Sequence, residues 1–248
     1  MSLAIHFNFP GLPNVHCLFP LRDLSQISPN NPYSGGNLAY EIGDDKDNVS
    51  QNRQDIIQKY ASLGLKRILD IKQVHGQTII FDPEKLDLST ISGDGLASCA
   101  KNCGLLIKTA DCQPVLLCDE KGQYILALHI GWRGSRANFI GQGIAEFCQK
   151  YNLKPANLLA VRGPSLGPSV AEFKNYQTEW LDAHIKEFFD LTTLTMDLWS
   201  MTRRQLEDAG LKPKNIYGLD LCTYSNLTCF SYRRNKICGR QGGLIWIN

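Results

Sequence analysis

The sequence predicts an α/β (α+β) fold, a single-domain sandwich of mixed β-sheets flanked by helices. Three observations predict it. Several short runs are apolar at every position, as strands covered on both faces must be. Three of them, "GLLIKT", "PVLLC" and "YILALHI", follow one another with no helical stretch between, which a strictly alternating doubly wound sheet does not allow. Longer segments of helical periodicity nevertheless stand before and after them.

In chain order, the N-terminal stretch ends in "SPNNPYSGGN", Ser28 to Asn37, a surface loop by its two prolines, two glycines and polar residues. A helix follows. Asp47 is a capping residue, Val49, Ile56, Ile57 and Tyr60 lie near one face, and Gly64 suits the stop. Strand-like runs come next: "RILDI", "TIIF", then the three consecutive runs. A second helix is predicted from about Ser135 to Tyr151, with Ile140, Ile144, Phe147, Cys148 and Tyr151 on one face. "LLAVRG" reads as a strand, Asn175 to Phe189 as a third helix, and Asp197 to Ala209 as a fourth with Gly210 behind it. "NIYGL", "TCFSY" and "LIWI" complete the strands. No repeat, no low-complexity tract, no GxGxxG after a strand and no Walker sequence is present. The 248 residues are read as one domain, 1–248.

Composition narrows the function. A net charge of +2 argues against an electrostatically driven nucleic-acid binder. No apolar stretch reaches the length of a membrane span. The start "MSLAIHFNFPG" has neither a basic n-region nor an apolar h-region, so a cytoplasmic protein is expected. The nine cysteines are an odd number with no Cys-x-x-Cys pair, and most are expected to be reduced packing residues. Cys118, Cys148, Cys222, Cys229 and Cys238 lie in apolar or strand-like settings. Cys99 and Cys103 have zinc-like spacing but no second pair follows them.

The chemistry-bearing residues concentrate at strand ends. Of five histidines, His6 and His16 lack polar company in the sequence, and His184 sits on or beside a helical apolar stripe between Trp180 and Phe188. These three read as structural. His75 closes "LDIKQVHG", His129 closes "YILALHIG", and Cys112 sits in the polar break of "IKTADCQPVLLC". Two imidazoles and a thiolate are zinc donors, and three protein ligands with the fourth position open is the catalytic arrangement. Spacing alone leaves zinc ligation and unrelated buried residues both open. Arg133 and Arg136 flank the start of the helix after His129, and Arg233 and Arg234 lie in "CFSYRRNK". Guanidinium forks suit phosphate or carboxylate, and exposed surface arginines are the other reading. Asp94 in "SGDGLA" and Asp111 beside Cys112 are candidate proton carriers, and Asp94 also suits a turn before Gly95.

"KQVHGQ", "TADCQPVLLCDE", "LHIGWRGSRANFIGQGI", "RGPSLGPSVAEF" and "CTYSNLTCFSYRRNKICGR", in this order, resemble the YfiH-like family, long labelled multicopper polyphenol oxidase or laccase-like. "GNLAYEIGDDKDNVSQNR" extends the resemblance over nearly the whole chain. It implies a metal site of His75, Cys112 and His129. It implies a fold shared in outline with toxins of the cysteine-hydrolase type. It also implies a zinc-dependent purine nucleoside phosphorylase with adenosine deaminase activity, partnered by nucleoside and phosphate. On that reading zinc supplies an activated water for C6 of adenine. Arg53, Arg133, Arg233 and Asn37 are the substrate- and phosphate-binding candidates, and Asp94, Asp111 and Cys112 the catalytic ones. The HxE and PCxxC signature of nucleobase deaminases is absent, so any deamination uses another arrangement.

Two departures stand out. The family's Ala-His-Ala-Gly-Trp-Arg-Gly is Leu128-His129-Ile130-Gly131-Trp132-Arg133-Gly134 here. Its Ser-Thr-Arg and Gly-Gly-Val-Ser loop is replaced by "FPLRDLSQIS", where Arg22 can keep the arginine role.

Two other readings stay open. A multicopper oxidase set needs about ten histidines by what the laccase family implies. Five histidines without His-x-His cannot fill it, but a single copper at the same donors can. A metal-free Cys112–His pair would make a cysteine hydrolase, an amidase editing a peptidoglycan precursor. The sequence fixes neither the oligomeric state nor the particular nucleoside.

Overall fold

Alternation along the strands sets the architecture. In the computed structural model, which describes residues 3–175 and 186–248, two sheets stack face to face. One has five strands in the order β1 (Ala4–Asn8), β2 (Val15–Pro20), β13 (Gln241–Ile247), β6 (Cys103–Thr109) and β3 (Arg67–Leu69). The other has six, in the order β12 (Ile216–Gly218), β9 (Leu158–Arg162), β7 (Gln113–Asp119), β8 (Ile125–Ile130), β5 (Gly95–Ser98) and β4 (Ile79–Phe81). β3–β6, β4–β5 and β9–β12 pair in parallel and the other ladders are antiparallel, so both sheets are mixed as expected. β10 (Phe189–Asp190) and β11 (Thr195–Met196) form a separate small ribbon.

The period of two sorts every strand. Ile125 and Ala127 of β8, Leu116 and Cys118 of β7, Leu105 and Ile107 of β6, and Ile245 and Ile247 of β13 meet in the core between the sheets. Their neighbours point outward. Leu106, Leu244 and Trp246 pack under helix α1 (Lys46–Tyr60) through Ile56 and Tyr60. Val115, Leu117, Leu126 and Leu128 pack under α3 (Phe139–Tyr151) and α4 (Leu198–Asp208) through Ile140, Ile144, Phe147 and Leu206. Each sheet is thus buried on both faces, which is why its strands carry no polar alternation. The short helix α2 (Trp132–Arg136) follows β8 directly.

Several local expectations are corrected. Asp45, not Asp47, caps α1, its carboxylate accepting from the Asp47 amide. A 3₁₀ turn then precedes Gly64, which is left-handed at φ 85°. The helix expected from Ser135 to Tyr151 is split into α2 and α3. Asn138 adopts a left-handed φ of 52° between them, and its side chain caps α3 by accepting from Gly141 N. "TCFSY" is not a strand. The Arg234 guanidinium gathers the carbonyls of Thr223, Tyr224, Asn226 and Cys229, so a side chain holds this segment in turns where a ladder would. The strands β1, β2 and β5 are not read from the sequence: His6, Asn8 and His16 interrupt the apolar residues of β1 and β2, and β5 holds Gly95 and Ser98. The third expected helix, with His184, falls largely on residues 176–185 and lies outside the described residues. Its end, Lys186–Phe188, is a 3₁₀ turn leading into β10.

All nine cysteines are free thiols. Cys118, Cys148, Cys229 and Cys238 are buried, whereas Cys222 is half-buried and Cys99 exposed. His6 and His16 do have polar company, because β1 and β2 pair. His6 Nε2 lies 3.2 Å from His16 Nδ1, and Asn8 Nδ2 lies 3.1 Å from the same atom. Both rings stack against Trp246.

Candidate metal centre

His129 is the last but one residue of β8. It shares the parity of Ile125 and Ala127, so its ring enters the space between the sheets at their open end. Opposite it in the ladder is Pro114 of β7, which places Cys112 just before β7 at the same end. His75 arrives from the loop between β3 and β4. The three donor atoms lie within 4.8 Å of one another, with His75 Nε2 3.9 Å from Cys112 Sγ. The two imidazole planes meet at 77° with centroids 4.8 Å apart. Among the described residues this is the one grouping of three or more such side chains with converging donor atoms.

The backbone at this point is strained and held. His75 has φ 59° and Asp111 φ 96°, both in the region L side chains avoid. Asp94 stabilises the first. Its buried carboxylate accepts from the amides of Val74 at 3.2 Å, His75 at 3.0 Å and Gly76 at 2.6 Å. It also accepts from His129 Nδ1 at 2.7 Å, which leaves His129 Nε2 as the outward donor atom. One carboxylate therefore orients two of the three donors. Asp111 is held in turn by Thr223 Oγ1 at 2.7 Å and the Arg233 amide at 2.6 Å.

Charge follows from the geometry. Burial pushes the Cys112 thiol up, but the charge and hydrogen bond of His129, with His75 behind it, outweigh that and bring it down to about 6. Burial lowers His129, but the Cys112 thiolate and Asp94 raise it to about 9. Burial opposes ionisation of Asp94 as well, and His129 with the backbone amides overcomes it, so its pKa is lowered. These opposed shifts favour a Cys112 thiolate beside a protonated His129, with the Asp94 carboxylate behind it. A cation would replace the proton on His129 and find a thiolate already formed.

The donors form the floor of a cavity of about 570 Å³. Trp132, Ile130, Leu166, Phe173 and Leu198 give it an apolar side. Lys108, Arg133, Arg233, Lys236 and Arg240 give it a cationic rim with Tyr232 among them, and Glu41 and Asp111 are its acids. Gly131 lies against the donors. A Cβ there would stand 3.2 Å from Cys112 Sγ and 3.2 Å from His75 Cδ2. With its φ of −86° this glycine is required for space and not for conformation.

The other expected residues take different places. Asn37 is fully buried. Its amide bonds Ala39 and Asp44 and accepts from Arg240 N, so it braces the loop behind the cavity and does not face a substrate. Arg53 does not line the cavity. It grips Asp70 with two nitrogens and the Leu38 carbonyl with two, and Asp70 in turn holds Lys108 Nζ at 2.6 Å. Arg233 lines the cavity, but its guanidinium donates to the carbonyls of Val170 and Glu172. Arg133 lines it with its guanidinium stacked on Trp132, 4.5 Å from the ring centroid. Asp94 has its oxygens engaged and lies outside the cavity lining, which suits a positioning residue and not a proton carrier. Arg22 lines a different cavity. Lys236, Arg240, Tyr232, Lys108 and Glu41 were missed. The first three stand beside or within the "YRRNKICGR" run, whose density of cations was the available signal.

No helix among the described residues is long and apolar enough to cross a membrane. Residues 20–248 match the family model described as multi-copper polyphenol oxidoreductase laccase. The chain is 32% identical over 228 residues to purine nucleoside phosphorylase YfiH of Escherichia coli K12, covering 87% of this chain and 88% of the relative. It is 30% identical over 260 residues to a purine nucleoside phosphorylase of Xylella fastidiosa Temecula1, covering 99% and 97%. A Neisseria meningitidis crystal structure superimposes with a TM-score of 0.84 at 25% identity, covering 99% of each chain. YlmD of Geobacillus stearothermophilus superimposes at 0.82 and 22% identity over 95% and 92%.

Proposed function

This chain belongs to the YfiH-like family, whose model carries the multi-copper polyphenol oxidoreductase laccase description, and on that premise we propose that it is a zinc-dependent purine nucleoside phosphorylase that also deaminates adenosine. The observation that carries the proposal is a three-donor floor, His75, Cys112 and His129, beneath a cavity with one apolar side and a cationic rim. Relatives at 30% and 32% identity bear the name purine nucleoside phosphorylase, which supports the substrate class.

Two imidazoles and a thiolate, with one histidine oriented by a carboxylate, fit zinc. Bound there, zinc supplies Lewis acidity and a water of lowered pKa. The chain's own residues do the rest. Trp132 and Phe173 offer apolar surface to a purine. Arg133, expected from the sequence, and Lys236 and Arg240 are the proposed phosphate contacts: Arg240 donates to the Cys238 and Gly239 carbonyls through Nη1 alone, whereas Arg233 engages both terminal nitrogens with carbonyls and Arg53 is paired with Asp70. Lys108 is neutralised by Glu41 at 2.7 Å and Asp70 at 2.6 Å and serves to hold Glu41 at the rim. Asp111, the acid beside Cys112, is the proposed donor to a departing base: it lines the cavity and accepts one hydrogen bond on each oxygen, from Thr223 Oγ1 and the Arg233 amide, where Asp94 accepts two on each.

The test is product analysis with purified, zinc-loaded protein. Adenosine should give adenine only when phosphate is present, and inosine with or without it. Absence of adenine, inosine and hypoxanthine overturns the proposal.

One observation favours a second reading. Cys112, His129 and Asp94 also form a thiolate–imidazolium–carboxylate relay, the arrangement of a cysteine hydrolase. Activity that survives chelation and is abolished by alkylation of Cys112 would select it. The same donors also suit a single copper, and metal analysis after growth with both metals separates copper from zinc.

A further inference from the structure

A second cavity, of about 310 Å³, lies between the 27–32 loop and the 230–238 segment. Two guanidiniums line it, Arg22 and Arg234. No carboxylate does, and among the described residues neither arginine forms a salt bridge. Arg234 is fixed by four backbone carbonyls, so its charge is pinned but not neutralised. Arg22 is half-buried. Its Nε donates to the Ser34 carbonyl at 3.0 Å, and its guanidinium carbon lies 4.9 Å from the Phe230 ring centroid, which sets its direction. Ser28, Ser231 and Asn235 add hydroxyl and amide groups to the same wall.

Two like charges facing one partly buried space repel each other unless an anion joins them. Burial and the Arg234 charge both lower the pKa of Arg22, which states the same conflict. Arg22 engages only its Nε with a carbonyl and can offer both terminal nitrogens to a pair of phosphate oxygens, while Arg234, whose terminal nitrogens are held by carbonyls, contributes its fixed charge. We infer that this cavity is an oxyanion-binding site, distinct from the three-donor centre, for a phosphate group.

Its location gives it a consequence. Along one loop, Phe230, Ser231, Arg234 and Asn235 face this cavity, while Tyr232, Arg233 and Lys236 face the cavity above the donors. An anion between Arg22 and Arg234 therefore fastens the loop that carries the cationic rim.

Calorimetric titration of the full chain with inorganic phosphate tests the site, comparing wild type, Arg22→Gln, Asn235→Asp and Lys236→Gln. Asn235→Asp keeps the oxygen that accepts from Ile237 N and adds a negative charge to the wall. One binding event should weaken roughly tenfold or more in Arg22→Gln and weaken in Asn235→Asp, yet persist in Lys236→Gln. Arg22→Lys should retain part of it. Phosphate binding unchanged by both Arg22→Gln and Asn235→Asp, or lost whole in Lys236→Gln alone, overturns the inference. An Arg22-dependent event in a protein without phosphorolysis upholds the site while the functional proposal fails.

Discussion

Asp94 Oδ1 accepts a 2.7 Å hydrogen bond from His129 Nδ1 and, from the other side, a 3.0 Å bond from the backbone amide of His75. Two of the three candidate metal donors, nineteen or more positions away in sequence, therefore share one buried carboxylate. The substitution Asp94→Asn sets an amide nitrogen against groups that already donate. Zinc affinity, measured by competition with a chromogenic chelator, should fall about 10–100-fold. Unchanged affinity would show that the donors are oriented without Asp94.

Gly131 gives a more selective handle. Gly131→Ala places a methyl 3.2 Å from Cys112 Sγ and 3.2 Å from His75 Cδ2, contacts that must give by a few tenths of an ångström. Zinc affinity should drop roughly tenfold, on the scale of losses seen when donors are displaced. Thermal stability of the metal-free protein should barely move. A large fall in stability with normal zinc binding would contradict this.

Gly242 tests the sheets themselves. A Cβ there would lie 2.0 Å from the Ile107 carbonyl oxygen, a backbone atom in the adjoining strand β6. Gly242→Ala must separate β13 from β6, and a loss of about 3 kcal/mol or more is expected from denaturant unfolding. Wild-type stability would mean the ladder shifts freely at this point.

Metal removal should change one thiol more than the others. Cys112 lines the main cavity, whereas Cys17 and Cys118 are wholly buried in the core between the sheets. In chelated protein an alkylating reagent should modify Cys112 and leave Cys17 and Cys118 untouched, as peptide mass analysis would read. Added zinc should protect Cys112. Labelling that zinc does not slow would place the metal elsewhere.

Acid should destabilise the fold through His16. Burial, with the charge of His6 second, lowers its pKa to about 4, against about 6.5 in an unfolded chain. Between those values the unfolded chain binds the extra proton, so stability is full above about pH 6.5 and declines toward pH 4. His16→Phe should flatten that part of the pH dependence, measured as denaturation midpoints at pH 7 and 4.5. An unchanged slope would clear His16 of the effect.

Much of the frame was legible before the tertiary structure. Fully apolar runs such as "PVLLC" fit strands covered on both faces, and three successive runs without a helix between them favoured mixed sheets, although the structure gives β6 to one sheet and β7 and β8 to the other. His75, Cys112 and His129 stood out as polar breaks at the close of apolar runs, and the family resemblance joined them into one set; in the structure Cys112 and His129 do lie at strand ends, whereas His75 comes from the loop after β3. Those are local properties, since a period of two and an abrupt polar break are written in neighbouring residues.

The roles of the remaining polar residues were decided by tertiary structure alone. Asp94 resembled a proton carrier until three amides and His129 occupied it. Arg53 and Asn37 resembled substrate contacts until Asp70, Leu38 and Ala39 engaged them. Lys236 and Arg240 acquired a cavity to face, and Arg22 a second one shared with Arg234. A side chain's chemistry is fixed by its composition. Its availability depends on which donors and acceptors across the fold have already satisfied it, and those partners lie up to 203 positions away, as Asn37 and Arg240 do. The strand pattern is thus determined by the sequence itself, and the division of labour among its charges by the packing.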